Sequence, residues 1–274
     1  MSSHTKTSAI HKFKVGFHRL GSPSNFYRLC NRLAPWFWVG FVVTATIGLY
    51  QALYVVPPDY QQSDSYRILF VHVPSAWQAL AGYAIMAVLA AIALIWRIRT
   101  TEILAMACAP VGAAFTFICL ATGAIWGKPM WGTWWVWDAR LTSMLVLLFI
   151  YLGIMGLYAA FEDRRKGARV ACILVLVGVV NIPIIQFSVE WWTTLHQGST
   201  INLFGESTMD PSMMPPLIWM TIAVKLMFTA VIMQRASLDL IDQDRRKRWV
   251  ADMIGGTREK TSENNAGTTI GDEK

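Results

Sequence analysis

The chain has 274 residues, of which 54% are hydrophobic and only 15% charged, and its mean hydropathy is +0.40. A soluble domain carries about 25% charged residues. Here the apolar residues gather in runs of about 20, the length that crosses a bilayer, which excludes an ordinary soluble enzyme. The formal charge of +7 does not point to nucleic acid, because the basic residues flank the apolar runs, where they anchor and orient helices.

Residues 1–35 are polar and basic and read as a cytoplasmic tail. The first apolar run is too long for a signal-peptide core and no small-residue cleavage site follows it, so it stays as a helix. Six spans are expected, at 36–56, 72–96, 103–125, 141–161, 170–189 and 216–234. Their ends carry breakers and charges: Pro57-Pro58, Arg97 and Arg99, Lys128-Pro129, the run from Glu162 to Lys166, and Pro215-Pro216. The fold class is therefore an all-α integral membrane protein with a membrane domain over 36–236 and a C-tail over 237–274, its polar end from about 250 expected to be disordered.

Counting Lys and Arg by side gives 20 with the two tails and the loops after spans two and four, against three on the other side: Arg67, Lys128 and Arg140. Both termini are thus expected in the cytoplasm. Lys225 falls inside span six, a functional position by default, with no partner nameable from sequence. Cys30, Cys108, Cys119 and Cys172 are scattered, mostly in apolar runs, and read as small core residues rather than a disulfide framework.

Three loops then share the outer side, at 57–71, 126–140 and 190–215. The middle one holds Trp126, Trp131, Trp134, Trp135 and Trp137, five of the chain's 13 tryptophans, and ends in Asp138 and Arg140. An interfacial aromatic belt is the plain reading, but a belt needs only one or two Trp per helix end. If the stretch is helical, Trp131, Trp134, Trp135 and Asp138 share one face, a flat apolar platform for a large planar ring system.

His72 and His196 are the only outer histidines; His4, His11 and His18 lie in the N-tail. Each outer His is either a hydrogen-bonding loop residue or a metal ligand, and imidazole is the commonest protein metal ligand. Asp138 and Arg140 are either a loop ion pair capping span four, or contacts to a ligand: Arg140, with Lys128 nearby, for carboxylates, and Asp138 for the second nitrogen of a ligating His. The stretch from Gly123 to Pro129 lacks the spacing and hydroxyl of a phosphate loop, so the chain does not hydrolyse ATP alone, and it has no Ser/His/Asp or H-E-x-x-H pattern.

The run WGKPMWGTWWVWDARLTS closely resembles the tryptophan-rich WWD segment of haem-handling membrane proteins. With HVPSAW around His72 and LHQGS around His196, residues 36–236 resemble the CcmC, or haem exporter protein C, family. That resemblance implies a protein of cytochrome c maturation in the bacterial inner membrane. Such a protein holds haem b at the periplasmic face and passes it to the haem chaperone CcmE, with the small membrane protein CcmD and the ABC subunits CcmA and CcmB as partners. It implies His72 and His196 as axial haem ligands, with Trp126, Trp131, Trp134, Trp135, Trp137, Asp138 and Arg140 in the haem-contacting segment.

Three alternatives make different demands. A transmembrane haem transporter needs polar residues lining its spans; apart from Lys225 few are present. A b-type redox protein needs histidines deep in its spans, and a longer cytochrome c synthetase carries extra intramembrane histidines; neither pattern occurs in this sequence.

Overall fold

The computed structural model describes residues 22–196, 207 and 209–253. The tail histidines, the polar end beyond 253 and the Gln197-Gly198-Ser199 part of the LHQGS segment lie outside the described residues. The described chain is helical, and six of its helical stretches are long and apolar enough to cross a membrane.

Helix α1 spans Pro23–Tyr50 and runs into a π turn over Gln51–Val55. It starts before the apolar run proper, with proline at the first turn, where a missing N–H costs nothing. A 3-10 turn over Asp64–Ile68 opens α2 (Leu69–Trp96). Helix α3 (Arg99–Trp131) follows after Arg97, which takes the left-handed conformation with φ 55°. Helix α4 (Ala139–Ala159) is capped by Asp138, and α5 (Arg164–Gly178) by Asp163. Asp163 Oδ1 accepts from the Arg165 and Lys166 amides, contacts that hold its carboxyl below the usual carboxylate range.

The fifth span is broken. Helix α5 stops at Gly178 and α6 runs over Asn181–Trp191. Pro183 explains the break, since its nitrogen cannot donate to Val179 O; Ile182 N takes that acceptor at 3.0 Å instead, and Val179 N turns to Leu176 O. The Val175 carbonyl this releases accepts the Tyr83 hydroxyl at 2.9 Å, and the Asn181 amide donates to Ser143 O at 2.9 Å. Helix α7 (Met214–Asp244) carries the sixth span. Its Lys225 is exposed on the bundle's outer surface.

Helix α3 is central: 67% of its apolar window is buried, against 17% for α1, which leans on α7 at the periphery. Small residues permit the close approaches. A Cβ at Gly112 would overlap the Tyr151 ring, and one at Gly178 the Tyr83 hydroxyl. Those two rings meet edge to face at 5.2 Å in the bundle's middle. Pro129, expected to stop the third span, instead lies inside α3; in its last turns the lost hydrogen bond is a small cost, and neighbouring helices support prolines in membrane helices. The four cysteines are buried and unpaired, as expected.

Candidate functional site

The Trp-rich segment does not form one helical face. Gly132, at φ 76°, ends α3, and residues 132–138 run without helix until Asp138 caps α4. The expected helical register of Trp131, Trp134, Trp135 and Asp138 therefore fails, because only glycine takes the left-handed conformation cheaply and the sequence supplies one inside the motif. The indoles divide accordingly. Trp126 and Trp131, on the last turns of α3, pack edge to face at 5.1 Å. With Trp135 they line a cavity. Trp134 and Trp137 lie outside that lining, 57% and 75% exposed.

Two adjoining cavities, of about 660 and 300 Å³, share His72, Trp126, His196 and Met209. His72 sits on the first turn of α2, and its Nδ1 lies 3.0 Å from the Thr122 hydroxyl on α3. Gly123 makes room for that ring, since a Cβ there would lie 3.1 Å from His72 Cε1. His196 comes from the loop after α6, and the two imidazole centroids are 6.4 Å apart, with planes at 33°.

Arg140, on the first turn of α4, fixes His196 in place. Its Nε donates to Ser188 Oγ at 3.2 Å, and its Nη1 contacts His196 Nδ1 at 3.4 Å. The hydrogen bonds of Asp138 run to the chain rather than to the imidazole. Its Oδ1 caps α4 by accepting the Leu141 amide at 2.7 Å, and its Oδ2 accepts the Thr194 hydroxyl, which in turn accepts the His196 amide at 3.1 Å. Asp138 thus supports the loop carrying His196 rather than its ring nitrogen. Lys128 bonds Gly132 O at 3.1 Å, closing the end of α3 outside the cavity lining.

Sequence reasoning passed over several participants. Trp77 lines the inner cavity one turn beyond His72; its place in HVPSAW was the signal. Gln62 accepts the Trp126 indole at 3.0 Å, and its backbone amide is itself held by Asp59 Oδ1 at 2.8 Å. Thr122 and Thr194 carried no local signal, because their roles depend on contacts between distant segments.

The donor set suits a flat iron macrocycle. A metal–imidazole bond of about 2 Å, plus about 1 Å from nitrogen to ring centre, puts two axial imidazoles about 6 Å apart, close to the separation found here. The walls are indole and aliphatic, and Trp135 Nε1 is buried with no partner among the described residues. Arg140 lines the same cavity as a fork for carboxylate.

A six-helix membrane protein with a paired-histidine, tryptophan-walled cavity at one end belongs to the haem-handling class. Comparison with known proteins identifies which member of that class it resembles. Residues 16–251 match the family model described as heme exporter protein C. The chain is 48% identical to heme exporter protein C of Escherichia coli K12 over 237 residues, 86% of this chain and 96% of that one. It is 42% identical to the Bradyrhizobium diazoefficiens protein of the same name over 258 residues, covering 90% and 97%. A ccmC-like mitochondrial protein of Marchantia polymorpha, named for cytochrome c biosynthesis, is 45% identical over 183 residues, 66% of this chain and 78% of its own. The chain belongs to the heme exporter protein C (CcmC) family, multi-pass membrane proteins with a haem-handling role in cytochrome c biogenesis.

Proposed function

We propose that this protein binds haem b at the periplasmic face of the bacterial inner membrane, between His72 and His196, and delivers it to the haem chaperone CcmE. It does so within a complex with CcmA, CcmB and CcmD. The observation that carries the reading is the 6.4 Å pairing of two imidazoles from distant segments inside one tryptophan-lined cavity. The excess of Lys and Arg at the opposite end supports the orientation, with both termini cytoplasmic.

The haem supplies the iron and the reactive porphyrin edge; the chain supplies position. Arg140 only donates, so a hydrogen bond from its Nη1 to His196 Nδ1 requires the tautomer with the ring proton on Nε2. Were His196 to hold the iron through Nε2, its ring proton would sit on Nδ1 and Arg140 would have to leave that contact; a carboxylate of the ligand would then give the guanidinium its partner. Beneath the cavity the bundle is filled by Met86, Leu147, Tyr83 and Tyr151, which favours hand-off at one face over passage through the protein.

The test is an absorption spectrum of the purified protein. His72→Ala and His196→Ala should each lower haem content at least about tenfold, since each removes one of two axial bonds. Wild-type spectra and haem content in both variants would overturn the ligand assignment.

A further inference from the structure

A third cavity, of about 290 Å³, lies at the opposite end of the bundle. Its floor is apolar: Met106, Ala109 and Pro110 of α3, with Ile154 and Met155 of α4. Its mouth is charged with both signs. Arg235, Asp239 and Asp242 come from one face of α7, at i, i+4 and i+7, and Arg164 from the start of α5. Arg164 is held over the Tyr158 ring at 5.3 Å. Among the described residues, none of these four charges makes an ion pair within 4 Å, although Asp239 feels both guanidinium groups. The buried carboxylates of the same end are instead satisfied closely by the protein: Asp244 meets Arg99 at 2.7 Å, and Glu102 meets Arg169 at 3.3 Å, whereas Asp239 is half-buried and Asp242 exposed.

The cavity opens sideways. Helices α4 and α7 both pack on α3 and hardly on each other. The outward strip of α3 continues from Pro110 through the exposed Ala114 and Phe117, at i, i+4 and i+7. The charges begin where the apolar run of α7 ends, the level at which headgroups lie. We propose that this cleft is a binding site for a zwitterionic aminophospholipid. Its phosphate meets Arg164 and Arg235, its ammonium meets Asp239 and Asp242, and an acyl chain lies along Pro110, Ala114 and Phe117.

The chemistry selects the headgroup. An anionic lipid brings its charge to two carboxylates as well as two guanidiniums. A choline headgroup carries no N–H to donate. A primary ammonium donates to three acceptors, so both signs in the mouth are answered by one dipolar ligand.

Full-length protein in mild detergent, offered equal amounts of phosphatidylethanolamine, phosphatidylcholine and phosphatidylglycerol and read by native mass spectrometry, tests this directly. The ethanolamine lipid should be retained about tenfold over the others, the scale of one or two charge-assisted hydrogen bonds. Asp239→Asn with Asp242→Asn should shift retention toward phosphatidylglycerol. Arg164→Gln with Arg235→Gln should lower retention of all three. Met155→Trp, which fills the floor and leaves the charges untouched, should do the same and serves if the charge variants do not fold. Equal retention of the three lipids by the wild-type protein overturns the proposal. So does an unchanged ethanolamine preference in a folded Asp239→Asn/Asp242→Asn protein, undiminished retention in the folded Arg and Met155→Trp variants, or equal binding of soluble phosphoethanolamine, which would make the cleft a headgroup site without a lipid.

Discussion

Helix α3 carries two polar regions of opposite construction. At its basic end, the buried Glu102 is answered by Arg165 and Arg169 from α5 at 3.5 and 3.3 Å, and Asp244 by Arg99 and Lys247 at 2.7 and 2.9 Å. There the polar groups satisfy one another and tie helices together. At the other end, two imidazoles, an indole N–H without a partner among the described residues, and a guanidinium converge on open cavity. Polar groups that pair among themselves make a structural joint. Polar groups that are oriented from behind and line a shared space are arranged to meet a ligand, and the buried Trp135 N–H, without a partner among the described residues, is a group that a ligand would complete.

The sharpest way to break this contrast is to exchange the expected phenotypes. Removing both imidazoles, in a His72→Ala/His196→Ala protein, should abolish haem retention while the thermal unfolding midpoint of the apoprotein stays near wild type. Glu102→Ala should do the reverse. It removes the buried partner of two half-exposed arginines at a helix junction, a loss of about 1–3 kcal/mol after allowing for solvent screening, seen as a lower midpoint with the haem spectrum unchanged. A folded Glu102→Ala protein without haem, or a His double variant that fails to fold, would erase the distinction.

Asp138 lies between the two classes, for it caps α4 and supports His196 through Thr194. Asp138→Ala should cost about 1–2 kcal/mol of stability and also loosen haem. Asp138→Asn keeps a good cap and should spare stability more than haem retention. Gly123→Ala addresses the site alone: its new methyl, 3.1 Å from His72 Cε1, should shift the haem absorption bands with little change in unfolding. An unchanged spectrum would mean that the ring adapts without consequence.

Much of this was legible in the chain. The six apolar runs, their charged flanks and the two outer histidines are local features, and they survive folding because a bilayer demands continuous apolar helix. The break at Val179-Val180 was hidden, because Asn181 and Pro183 sit inside a run otherwise apolar enough to read as one continuous span. The geometry of the indoles was hidden too. Period counting gives the Trp motif one face only if it is helix, and Gly132, one residue that accepts φ 76°, ends the helix inside it. Asp138 was placed at the right end of the right helix, but its route to His196 passes through Thr194, a contact spanning 56 residues that no local pattern encodes.

Gln62 offers the finest test of the contrast, because it belongs to neither ligand nor fold core. The first outer loop is folded on itself: Tyr66 donates its hydroxyl to Pro57 O at 2.8 Å, and Asp59 Oδ1 holds the Gln62 amide. The Gln62 side chain then accepts the Trp126 indole N–H at 3.0 Å, fixing a ring that lines both parts of the cavity. Gln62→Ala removes one neutral hydrogen bond, about 1 kcal/mol, so haem affinity should fall about fivefold, with intact ligation and an unchanged spectral shape. Gln62→Glu keeps the acceptor and should restore affinity. If Gln62→Ala binds haem as the wild type does, Trp126 is held by packing alone, and the loop's folded structure serves the bundle rather than the site.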